Sequence, residues 1–174
     1  MPSLRGKDRQ GTIDMGNGRH FKGVDKHSEE HQGFHFDICN PDKLILFESP
    51  IDALSYYSVK QNSIQNARLM SMNGLKPATM SHVGKHMLDQ GYKVKNVVLA
   101  VDNDKAGRAF VDQLKTRMRP NDALVKDEKA KDHFFQTDLS KTKDWNEDFK
   151  QMTKQGDQKE KAGKTKDKEP ERER

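Results

Sequence analysis

Hydrophobic positions along the chain follow two patterns that alternate. The first is a short unbroken apolar run, as in Leu44-Ile45-Leu46-Phe47 and Val97-Val98-Leu99-Ala100-Val101. Such runs, bounded by polar residues, mark strands covered on both faces. Arg68-Leu69-Met70-Ser71-Met72 is a weaker version, closed by Asn73-Gly74. The second pattern recurs at helical spacing. Ile51, Leu54 and Tyr57 or Ser58 predict a helix over 50–60, with Ser49 as N-cap and Pro50 at its first position. Met80, Val83, Met87 and Leu88 predict a helix over 77–90, closed by Gly91. Ala106, Ala109, Phe110, Leu114 and Met118 predict one over 105–119, stopped by Pro120. Strands are expected at 43–48, 68–72 and 96–101. This order implies an α/β fold with a mostly parallel sheet flanked by helices.

The flanks read differently. Residues 1–40 are rich in Gly and His, with hairpin pieces on either side of a turn at 14–18 and an alternating segment, Phe34-His35-Phe36-Asp37-Ile38. They are expected to form a small β-rich extension. A last strand is placed at 133–136. Asp144, followed three residues later by Glu147, caps a further helix. The domain is therefore drawn over 41–152. Residues 153–174 have no apolar periodicity and are expected to be a disordered charged tail, or at most a solvated helix.

Composition adds limits. The 174 residues are 32% hydrophobic and 34% charged, which suits one core with a loose end. No apolar run is long enough to span a membrane. A single cysteine, Cys39, allows no intrachain disulfide, so a reducing, cytoplasmic setting is expected. The net charge is +5. That excess permits a nucleic-acid partner without requiring one.

Acids close both strong strands. Glu48 follows the first and Asp102-Asn103-Asp104 the other. In a parallel sheet these positions share the carboxyl edge, where ligands bind. Crowded carboxylates raise one another's pKa, and a hard cation such as Mg2+ (or Mn2+) relieves this. Asp104 serves equally as a helix N-cap. His27, His31, His35 and Cys39 recur every four residues, but Gly33 and the alternating segment argue against one helix and a zinc site there. His82 and His86 lack a third ligand and read as a solvent-facing pair.

The spaced motifs together resemble the TOPRIM domain of bacterial primases, topoisomerases and related nucleases. Phe47-Glu48-Ser49-Pro50-Ile51-Asp52 resembles the family's acid-then-helix opening, Asp102-Asn103-Asp104-Lys105-Ala106-Gly107 its Asp-x-Asp signature, and Lys143-Asp144-Trp145-Asn146-Glu147 its later Lys-Asp segment. The likeness is to primase-like versions in proteins of plasmids and conjugative elements. It departs where many members have Gly after the glutamate and this chain has Ser49-Pro50.

The resemblance implies a Rossmann-like TOPRIM fold and Mg2+-dependent nucleotidyl or phosphoryl transfer on DNA or RNA, alongside other DNA-processing proteins. Glu48 would be the catalytic acid or base and a metal ligand, with Asp102 and Asp104 the other ligands and Asp144 an outer one. Lys105 and Arg108 would meet phosphate. A nuclease of the same fold, or a non-catalytic binding module, are the alternatives. Primases of this type carry a zinc-binding region and another domain upstream, absent from this sequence, so independent primer synthesis is not expected.

Overall fold

The computed structural model describes residues 3–5, 10–14, 16, 20–24, 31, 33–117 and 133–166. In chain order the elements are β1 (Ser3–Arg5), β2 (Gln10–Asp14), β3 (His20–Val24), β4 (His35–Ile38), β5 (Lys43–Phe47) and α1 (Pro50–Lys60). Next come β6 (Ala67–Ser71), α2 (Pro77–Asp89), β7 (Asn96–Leu99), α3 (Lys105–Arg117), β8 (Phe135–Thr137) and α4 (Trp145–Lys166). Six strands form one sheet in the order β1-β4-β6-β5-β7-β8, while β2 and β3 pair separately as an antiparallel hairpin. Strands β6, β5, β7 and β8 are parallel, and β4 and β1 extend the sheet antiparallel.

Both faces of β5 are covered, which its unbroken apolar run requires. Leu44 and Leu46 face one core with Met80, Val83, Phe110 and Leu114 of α2 and α3. Ile45 and Phe47 face the other with Ala53, Tyr56 and Trp145 of α1 and α4. The antiparallel edge is held by a buried ion pair. Arg68 on β6 donates to both oxygens of Asp37 on β4, at 2.6 and 2.8 Å, directly across the register.

Several expectations need correction. The expected inward positions of α1, Ile51 and Leu54, are 53% and 44% exposed. The buried side is Asp52, Ala53, Ser55 and Tyr56. This helix is wedged between the sheet and α4, so small residues and one tyrosine fit where bulky aliphatics do not. In α3 the alanines Ala106 and Ala109 are exposed, and Gly107, Phe110, Val111 and Leu114 face the core. Leu88 of α2 is likewise 39% exposed.

Strand β4, assigned by sequence to the extension, is hydrogen-bonded into the main sheet. Its partner β6 is distant in the chain, and alternation alone cannot name it. The charged stretch after residue 152 takes the second of its two expected forms, a helix that runs to Lys166 with 153–158 exposed. Lys, Glu and Gln sustain a helix by propensity without an apolar stripe. The expected stop at Pro120 and the ligand candidate His27 lie outside the described residues. So does most of the turn at 14–18.

Candidate functional site

The register of the parallel strands decides where the acids meet. Leu46 of β5 lies beside Leu99 of β7, and the ladder continues through Ala100 N–H donating to the Leu46 carbonyl at 2.9 Å. Both chains then leave the sheet at the same edge. Glu48 and Asp102 therefore become neighbours, and a Glu48 carboxylate oxygen accepts the Asp102 backbone N–H at 3.2 Å.

Each neighbouring loop fixes one acid. On the Glu48 side, its carbonyl accepts from Gly74 N–H at 2.8 Å, through the turn where Asn73 and Gly74 both have positive φ (53° and 102°). The Gly74 amide thus serves as a turn that braces Glu48. At the other acid, Asp104 caps α3 by accepting Gly107 N–H at 2.9 Å. Gly107 is fixed by closeness: a Cβ there would lie 2.0 Å from the Asp102 carbonyl oxygen. Helix α3 consequently starts hard against the acidic loop.

Charge and burial then act together. Burial, followed by the charges of Glu48, Asp52, Asp144 and Asp104, raises the Asp102 carboxyl to about 7. The Glu48 carboxyl is also raised, chiefly by burial and with further push from Asp104 and Asp52, against the Asp102 N–H. One Asp102 oxygen is buried and has no hydrogen-bond partner among the described residues. A carboxylate of that kind is costly unless protonated or bound to a cation. An all-oxygen cluster of this sort suits a hard divalent ion. Among the described residues, no group of three or more His, Cys, Asp or Glu side chains is placed to hold a metal ion.

The sequence-predicted residues separate on these grounds. Glu48 and Asp102 meet at the sheet edge, and Asp104 acts on both through its charge. Asp144 acts on Asp102 through its charge while one of its oxygens caps α4, accepting Glu147 N–H at 2.8 Å. Arg108 is exposed and donates to the Asn103 carbonyl at 3.2 Å. Lys105 is exposed at the first position of α3.

Asp52 was missed as a site residue. It is buried, accepts the Ser49 hydroxyl, and its charge raises both Glu48 and Asp102. A first-turn acid on a helix is ordinary, so only its burial reveals it. The strand-end acid of β8, Asp138, is by contrast tied to the Tyr56 hydroxyl at 2.9 Å and Lys60 at 3.0 Å.

Of the histidine candidates, His31 lies 5.7 Å ring to ring from His82, and His35 Nδ1 donates to the Gly33 carbonyl at 3.0 Å. Cys39 is an exposed free thiol.

The sequence matches the Toprim-like family over residues 45–149. An uncharacterized protein of Bacillus anthracis, pXO2-78, is 34% identical over an alignment of 143 residues that covers 80% of this chain and 41% of that protein. The chain thus spans less than half the length of this relative. Among solved structures, the primase fragment of the bacteriophage T7 primase-helicase protein is similar with a TM-score of 0.41 and 19% identity, over 62% of this chain and 39% of that one. Among the described residues no helix is long and apolar enough to cross a membrane.

Proposed function

Because this chain belongs to the Toprim-like family, we propose that its strand-end acids bind magnesium and serve nucleotidyl or phosphoryl transfer on nucleic acid, in a primase-like DNA-processing protein. The observation that carries this reading is the pairing of Glu48 with the Asp102 loop, together with the buried, unpartnered Asp102 oxygen. Glu48, Asp102 and Asp104 are the proposed ligands of Mg2+ (or Mn2+), with Asp144 outside them. When bound, such an ion neutralises phosphate charge and lowers the pKa of a coordinated hydroxyl.

The protein's own groups supply the rest. Burial raises the Glu48 carboxyl, and this is the group we assign to proton transfer. Lys105 and Arg108, exposed beside the acidic loop, are the phosphate contacts we assign. The setting we assign is the cytoplasm, in a plasmid or conjugative-element protein with further DNA-processing partners.

The test is an activity screen on labelled DNA with Mg2+, comparing the wild type with Glu48→Gln and Asp102→Asn. Product growth that requires nucleoside triphosphates, and is lost in both variants, supports nucleotidyl transfer. Shortening without nucleotides identifies a nuclease instead. Equal activity in all three proteins refutes the role of these two acids, and no activity in any of them leaves a binding module.

A further inference from the structure

The residue between the two loop acids is a junction. Asn103 N–H donates to the Lys143 carbonyl at 2.7 Å, and its side-chain amide donates to the Ser140 carbonyl at 2.9 Å. The 140–144 loop is also held from its far side. Asp148 accepts Lys141 N–H and Thr142 N–H, each at 2.8 Å, and the Thr142 hydroxyl at 2.6 Å. Just beyond, the buried Trp145 indole donates to the Ala100 carbonyl at 3.1 Å. The Lys143 backbone is thereby fixed against the acidic loop from two directions.

The Lys143 side chain is exposed, and its charge reaches the Glu48 carboxyl. Glu48, Asp52, Asp102 and Asp104 make this end of the sheet strongly negative, and an incoming phosphate needs positive charge at the rim. Arg108 already commits an N–H to the Asn103 carbonyl.

We propose that Lys143 is a further phosphate-binding cation of this site, beside Lys105 and Arg108, and that Asn103 is the positioning residue that holds it there. The ligand chemistry is a phosphate oxyanion, from either the polyphosphate of a nucleoside triphosphate or the phosphodiester of a nucleic acid. The inference rests on the metal-site reading given above, and the test separates the two.

Mn2+ binding is followed by electron paramagnetic resonance, and binding of inorganic tripolyphosphate and of a single-stranded oligonucleotide by calorimetry in Mg2+. In Lys143→Gln, Mn2+ binding is retained while affinity for one of the two phosphate probes falls about tenfold, as expected for a lost charge-assisted bond. Lys143→Arg restores it. The probe that weakens identifies the source of the phosphate. Asn103→Ala, checked for folding by circular dichroism, weakens the same probe but adds nothing to Lys143→Gln in the double variant. Unchanged affinity for both probes in Lys143→Gln, with Mn2+ still bound, overturns this inference alone. Absence of Mn2+ binding in the wild type overturns the metal-site reading and this inference with it.

Discussion

At the scale of single residues, the site is an electrostatic compromise. Asp102 has an ordinary carboxyl value of 3.8, raised by burial and by Glu48 to about 7. The folded protein therefore binds more protons than the unfolded chain between those values, so stability falls as pH rises from about 4 through 7. Glu48 works in the same direction. Burial lowers His35, so His35 works oppositely, and the wild type alone would blur the effect. The difference between wild type and Asp102→Asn isolates it. In EDTA at pH 8, Asp102→Asn is expected to be more stable in urea by about 1–2 kcal/mol, a value reduced from the full shift for solvent screening. At pH 5 the gap should shrink. A variant no more stable at pH 8 than at pH 5, relative to wild type, would contradict the raised carboxyl.

At the scale of elements, two glycines in similar helices should behave oppositely. Gly84 lies within α2 with open space where a Cβ would go. Gly84→Ala is expected to stabilise by about 0.5–1 kcal/mol, from helix propensity alone. Gly107 lies in the first turn of α3, where the new carbon would collide with the Asp102 carbonyl. Gly107→Ala is expected to destabilise by about 1–3 kcal/mol through overpacking and to weaken Mn2+ binding. Chemical denaturation of the pair reads both signs.

The lone tryptophan gives a third element-scale test. Trp145 bonds Ala100 and meets Tyr56 edge to face at 4.6 Å between ring centroids. Trp145→Phe should cost about 1–3 kcal/mol, since a buried carbonyl loses its donor. A loss below a few tenths of a kcal/mol in thermal melts would show that the bond does not anchor α4.

Elements were legible where one physical cause dominated. Strands β5 and β7 stood out because burial on both faces leaves no room for polar residues. Helix α1 was located through Ser49 and Pro50, yet its inward face was misread, because packing between two layers selects small residues. The adjacency of Glu48 and Asp102 was legible because register follows from parallel pairing of neighbouring strands. Asp52 and the Asn103 junction were not, since one needs burial and the other a contact across 37 residues.

For the whole molecule, ligand and fold are linked. A one-site ligand at ten times its Kd adds about 1.4 kcal/mol, worth roughly 3–6 °C in a chain of this size. Thermal melts in Mg2+ against EDTA at pH 8 should show that rise in wild type and lose it in Asp102→Asn and Glu48→Gln. A rise of equal size in all three would mean the ion binds elsewhere.

Helix α4 has a mechanical side. Its 22 residues span about 33 Å at the usual helical rise, and 151–158 stand exposed. Its near end is pinned by Trp145 to Ala100, two positions from Asp102. The same tryptophan packs on Tyr56 of α1, so this helix, α1 and the acidic edge share one anchor.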